Sequence, residues 1–251
     1  MDQRTPVAPP SDILLRRLSH YAELSPAEIG LLEAMPLASQ DVGVGTELIV
    51  EGRLLDTPRL LVSGWACRFR MLPDGRRQIF DFILPGDMYG LCLRPQAIAL
   101  TTAITLTQAQ IADASALWVA IKDRADEFPG LSDACHSTAS LEEAYLLNQL
   151  VRVGRQTAYE RTAHLILEIH DRLSAVGLAD GATIPMPLTQ ETIADALGLS
   201  VVHLNRTLQL LRRDHLIESR AGFVKLLQPE QLADVADFHP PVISQKTLNP
   251  A

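Results

Sequence analysis

Apolar residues along this chain keep a helical period at both ends and break into short β-rich runs between them. Ser11 to Met35 has the helical period and carries a start signal, Ser25-Pro26-Ala27-Glu28, a capping box with proline at the first helical position. From Leu37 to about Leu117 the pattern is of short runs: Glu47–Val50, Leu60–Val62, Ala66–Met71, Gln78–Ile83, Thr101–Leu106 and Gln110–Ala112. Turns at Gly43 and Gly45, Gly52, Gly64, Asp74-Gly75 and Pro85-Gly86-Asp87 separate them. Strands spaced this way predict a small antiparallel barrel or roll. The helical period returns from Leu131 to about Ser174. Gly154 marks an expected hinge, followed by a helix over Gln156–Leu173 whose Ala163, Ile166, Leu167 and His170 face a second core.

The most informative stretch is Leu188 to Leu211, which reads as two short helices joined by a tight turn. Thr189 is a good N-cap, and Glu191 lies in the first turn, where the helix macrodipole favours an acid. Ile193, Ala194 and Leu197 make one apolar face, and Gly198 stops the helix because glycine takes a left-handed residue without strain. Ser200 caps the second helix, whose Leu204, Leu208 and Leu211 recur at i, i+4 and i+7. This is a helix-turn-helix layout. Opposite the leucines stand Val202, Arg206, Gln209 and Arg213, and Ser200 to Arg213 holds three arginines and no acid. Such a face supplies donors for guanine or phosphate and apolar atoms for the thymine methyl group.

Composition adjusts this picture. At 251 residues, two domains are the prior. No apolar run is long enough to span a bilayer, and Met1 to Pro10, with three prolines, reads as a loose tail and not a signal peptide. Cys67, Cys92 and Cys135 are odd in number and lack ligand spacing, which points to a reducing cytoplasm and away from a disulfide framework or zinc finger. The net charge of −8 counts against nucleic-acid binding. Its distribution matters more: residues 188–226 hold 5 Lys and Arg against 4 Asp and Glu, with the positive charge gathered on one helix. Modest non-specific affinity and a reliance on dimer avidity follow.

The order Gly45, Gly52, Leu61-Val62-Ser63-Gly64, Pro73-Asp74-Gly75 and Phe82-Ile83-Leu84-Pro85-Gly86-Asp87-Met88-Tyr89-Gly90 resembles the jelly roll of the cAMP receptor protein and fumarate–nitrate regulator (Crp/Fnr) family. The helix-turn-helix falls where that family's winged helix should be, and the resemblance runs from about Ile13 to Leu232. It implies an α+β chain: a tail over 1–12, a cyclic-nucleotide-binding-type sensory roll over 13–128, a dimerisation helix over 129–154, a winged helix-turn-helix over 155–232 and a tail over 233–251. The implied function is a non-enzymatic, sequence-specific transcription regulator. It would bind palindromic double-stranded DNA as a homodimer, with RNA polymerase as a further partner if it activates. A ligand-binding or protein-interaction module that has lost DNA binding is the alternative.

The resemblance also assigns residues. Leu131, Thr138 and Tyr145 with Ala134, Leu141 and Asn148 give an imperfect heptad, with Leu147, Leu150 and Val151 thickening the seam, and the resemblance implies a parallel coiled coil there with Asn148 fixing register. Family recognition helices read DNA through positions that are Val201, Val202 and Arg206 here. Arg206 is the expected guanine contact, and the two valines depart from both best-known branches, so the operator should differ from theirs. His203 and Asn205 flank this face. Thr189 and Gln190 are placed for phosphates, Ser200 caps, and Arg220 lies near the tip of a wing over Leu216–Val224.

The sensory half departs from the family pattern. Gly90-Leu91-Cys92 has leucine where a ribose-binding glutamate should stand, and Ala97 to Thr102 offers no arginine for a phosphate, which makes cAMP an unfavourable ligand. No cysteine precedes Cys67, so the iron–sulfur branch fails on ligand count. Haem stays open, with His20, Cys92 and His136 as weak axial candidates, and Cys92 is either a thiol sensor or a small buried hydrophobe. No catalytic motif is present, and the absence of histidine from Leu37–Leu117 excludes a metal-binding cupin.

Overall fold

A computed structural model of the chain describes residues 9–55, 57–90, 96–220 and 222–243. Pro10 opens α1 (Pro10–Tyr21), where its missing N–H costs nothing because the first helical donors have no intrahelical acceptor. The capping box of α2 (Pro26–Ala34) forms as expected: the Ser25 hydroxyl accepts from Glu28 N–H at 3.3 Å, and Glu28 Oε2 accepts from Ser25 N–H at 2.7 Å. The other oxygen of Glu28 accepts from Leu131 N–H at 3.0 Å, so one carboxylate serves two helix starts. Burial opposes its charge, but the N–H groups of Ser25, Leu131 and Gly130 outweigh burial and hold the carboxyl below its usual value. The stretch read as one helical segment is thus two helices.

Eight strands follow: β1 (Ser39–Val42), β2 (Glu47–Ile49), β3 (Arg59–Ser63), β4 (Ala66–Met71), β5 (Arg77–Ile83), β6 (Met88–Tyr89), β7 (Thr102–Thr105) and β8 (Ala109–Asp113). They form two sheets, ordered β1-β8-β3-β6 and β2-β7-β4-β5, as the glycine-punctuated runs predicted. Leu61, Ala66, Ile83, Tyr89, Ala103 and Ile111 pack a core drawn from both sheets. Gly64, at φ +85°, is tied to glycine by more than its angle. A β-carbon there would meet the Gln108 carbonyl and lie 2.7 Å from Ala109 Cα.

After α3 (Ser115–Asp123) comes α4 (Pro129–Arg155), which corrects two expectations. Gly154 is not a hinge, because the helix runs through it. The chain breaks at Gln156, and Thr157 then caps α5 (Ala158–Ala175) in a second capping box with Glu160. Nor can Leu131, Thr138, Leu141 and Tyr145 form an intermolecular seam, since all four are buried within their own chain. The Thr138 hydroxyl donates to the Ala134 carbonyl at 2.7 Å, and the Tyr145 ring lies under the Arg172 guanidinium at 4.6 Å. Asn148 is half-buried beside them. The open apolar face of α4 is Leu146, Leu147, Leu150 and Val151, each more than half exposed.

The described residues fall into two compact units, Met1–Arg68 with Phe82–Ala139, and Phe69–Asp81 with Ser140–Ala251. The tip of the β4–β5 hairpin therefore belongs with the C-terminal residues, a division the boundaries at residues 128 and 154 did not anticipate. Its attachments are polar: Arg77 pairs with Asp195 at 2.8 Å, and Asp81 with Arg172 at 2.9 Å. The rest of this unit is β9 (Thr183–Pro185), α6 (Gln190–Leu197), α7 (Val201–Arg213), β10 (Ile217–Arg220), β11 (Phe223–Leu226) and α8 (Pro229–Ala236), with a sheet ordered β10-β11-β9. Ala163, Ile166 and Leu167 pack inside it as expected. His170 instead sits at the rim, its Nε2 2.9 Å from the Gly181 carbonyl oxygen.

Below the surface of this unit, Arg152 makes two bonds to Glu168, at 2.9 and 3.3 Å, and His164 Nδ1 lies 3.3 Å from Arg152 Nη1. Burial, with the Arg152 charge, pushes His164 down from 6.5 to about 4. The unfolded chain then binds an extra proton between those two values, so stability is complete above pH 6.5 and falls as pH drops towards 4, by about 3 kcal/mol. Urea unfolding of wild type and His164→Phe at pH 7 and 4.5 checks this. The variant should lose less stability on acidification, and an equal loss would assign the slope to other groups.

Candidate nucleic-acid interface

The two-helix motif is built by its caps. Thr189 Oγ1 accepts from Thr192 N–H at 3.1 Å to start α6, and Gly198, at φ +63°, closes it in the left-handed conformation. Ser200 Oγ then accepts from His203 N–H at 3.2 Å to start α7. Leu204, Thr207 and Leu211 turn inward and Leu208 is half-buried, which leaves Val201, Val202, His203, Arg206, Gln209 and Arg213 exposed, with Asn205 half-buried. Val202 is 63% exposed.

The arginines of this face differ in their partners. Arg212 donates to Ser219 Oγ at 3.0 Å, tying α7 to the wing, while Arg213 pairs with Asp214 and Arg220 with Glu218 at 2.7 Å. Arg206 has no hydrogen-bond or ion-pair partner among the described residues. The wing is the β10–β11 hairpin, with Arg220 opposite Phe223. Phe223 is 54% exposed and was missed in the sequence, although alternation with the buried Val224 and Leu226 would have placed it outside. Thr189, Gln190 and Ser200 are exposed at the starts of the two helices, where backbone N–H groups favour anions. Of the predicted DNA-facing residues of α6 and α7, all but the half-buried Asn205 are exposed, and Arg220 is exposed on the wing.

The sensory residues are less complete. Cys92, with Leu91, lies outside the described residues. His20 and His136 are exposed, on α1 and α4, and among the described residues no three His, Cys, Asp or Glu side chains gather as for a metal. Burial pushes the Cys135 thiol up to about 12. A cavity of about 300 Å³ opens in the N-terminal unit, with Arg53, Arg59 and Tyr89 among its lining residues. Among the described residues the Tyr89 hydroxyl has no hydrogen-bond partner, and burial pushes it up to about 12. Ala97 to Thr102 holds no arginine, and the two arginines that line this cavity come from β3 and the turn before it.

Comparison with known proteins agrees with this geometry. Residues 160–235 match the family model of the Crp-like helix-turn-helix domain. The nitrogen fixation regulation protein FixK of Bradyrhizobium diazoefficiens is 34% identical over 67% of this chain and 69% of its own length. The transcriptional activatory protein AadR of Rhodopseudomonas palustris is 29% identical over 88% and 90%. The solved structure of FixK2 from Bradyrhizobium japonicum superposes with a TM-score of 0.68 at 24% identity, covering 80% of this chain and 98% of that one. No helix among the described residues is long and apolar enough to cross a membrane. With its roll, long helix and capped helix-turn-helix, this chain belongs to the Crp/Fnr family of DNA-binding transcription regulators.

Proposed function

We propose that this regulator binds palindromic DNA as a homodimer and reads each half-site through the outer face of α7. The observation that carries the reading is Arg206, an exposed cation with no partner among the described residues, on the same face as the bare Val202. Arg206 takes the two acceptors of a guanine in the major groove, and Val201 and Val202 take thymine methyl groups. Thr189, Gln190, Ser200, His203, Asn205 and Arg220 hold backbone phosphates or flanking base edges and set the register. The open face of α4 at Leu146, Leu147, Leu150 and Val151 is the dimer contact. The cavity lined by Arg53, Arg59 and Tyr89 receives the controlling signal. The chain works in the cytoplasm and has no catalytic role, and RNA polymerase is its further partner where it activates. That a relative is named as an activatory protein supports regulation over a module that has lost DNA.

Arg206→Ala should weaken operator binding by about 1–3 kcal/mol and relax preference at one base pair of each half-site. Anisotropy titrations against a matched and a single-substituted operator measure both effects. Affinity equal to wild type would remove Arg206 from the reading face.

A further inference from the structure

The last carbonyls of a helix have no donor within it and must find one elsewhere. At the end of α6 they find side chains. The Ala196 carbonyl accepts from Gln149 Nε2 at 2.6 Å and from Gln78 Nε2 at 3.3 Å, and the Leu197 carbonyl accepts from Arg161 Nη1 at 2.8 Å. One residue earlier, Asp195 pairs with Arg77. Four side chains, from α4, α5 and β5, thus converge on the last three residues of α6. Only Gly198, Leu199 and Ser200 then separate those residues from α7, and two of these are conformationally fixed by a left-handed φ and a cap.

Gln149 is the centre of this arrangement. Its Nε2 donates both to the Ala196 carbonyl and to the Ile79 carbonyl at 3.2 Å, while its Oε1 accepts from Arg152 Nε at 3.0 Å. The side chain is buried, so every bond is made away from water and none is easily replaced. We propose that Gln149 is a positioning residue for base reading: it clamps the end of α6, and through the short turn the angle of α7, to α4. On α4 it points inward one turn from the open stripe of Leu146, Leu147 and Leu150, so the helix that meets a second copy is the helix from which α7 is aimed. The second half of this statement rests on the dimer proposed above.

The test is Gln149→Met, which keeps the volume and removes all three bonds. The full-length variant is compared with wild type in sedimentation mass, melting temperature, affinity for random-sequence DNA, affinity for the wild-type operator, and half-site spacing recovered by selection. A positioning role predicts unchanged mass and random-sequence affinity, an operator affinity lower by about tenfold, and a spacing that shifts or broadens. Operator affinity and spacing equal to wild type would overturn it. So would a parallel fall in melting temperature and in both affinities, which is what mere structural support produces. If Gln149→Met does not fold, Asp195→Asn loosens the same end of α6 at a half-buried ion pair and should lower operator affinity by about two- to threefold without touching random-sequence affinity. A monomeric wild type would refute the dimer instead, and affinity for a single half-site would then decide the role of Gln149.

Discussion

Glu168→Ala is expected to lower the unfolding free energy by about 3–5 kcal/mol, a large share of the stability of an ordinary domain. The carboxylate is 3% exposed and takes two bonds from Arg152, with Arg172 Nη1 a further 3.9 Å away. Removing it leaves the Arg152 guanidinium, 2% exposed, with only Gln149 Oε1 and His164 Nδ1 for partners among the described residues. Arg172 keeps Asp81 and its stacking on Tyr145, so the loss falls on one cation. The cost is that of an uncompensated buried charge, not the net worth of the pair. For that reason the double replacement Arg152→Met with Glu168→Met should recover most of it. Urea unfolding of the single and double variants measures the difference, and a single variant within 1 kcal/mol of wild type would contradict the burial described for this pair.

Replacing Leu147 and Leu150 together by aspartate should convert the protein to a folded monomer and weaken operator binding by on the order of a hundredfold or more. Both side chains are more than half exposed, so the substitutions remove little internal packing, and the melting temperature of the monomer should stay close to wild type. What they remove is a partner's apolar contact and the avidity of two linked half-sites. Sedimentation velocity reads the first and anisotropy the second. A variant that still sediments as a dimer would place the interface elsewhere.

The helix-turn-helix was legible because its signals are local: Thr189, Gly198 and Ser200 each act within four residues of themselves. The roll was legible for the same reason, through turn glycines. Two strands were not. Ser39–Val42 is a polar, largely exposed strand with Gln40 and Asp41 at its centre, and Met88–Tyr89 has two residues, so neither shows a hydrophobic pattern. The α4 seam merged two faces, joining the buried Leu131, Thr138, Leu141 and Tyr145 to the open Leu147, Leu150 and Val151. Periodicity shows that a helix has an apolar face but not what covers it, and α4 has two such faces, one packed inside the chain and one open at Leu146, Leu147, Leu150 and Val151. The hinge was misplaced because a glycine was read as a break when the Thr157 capping box made it. Attachment of the hairpin through Arg77 and Gln78 to residues 118 positions away leaves no trace in local sequence.

The central claim, that α7 reads a palindrome through Arg206 and its neighbouring valines, is tested most directly by selecting DNA from a random library with the purified protein at two salt concentrations. The account predicts an enriched palindrome whose half-site centres lie about one helical turn apart, roughly 10 base pairs, with a guanine in each half that Arg206→Ala no longer selects. Enrichment should survive the higher salt better than random-sequence binding does, because base contacts release fewer counterions than phosphate contacts. No enrichment at either salt, or an enriched site without two-fold symmetry, would contradict it.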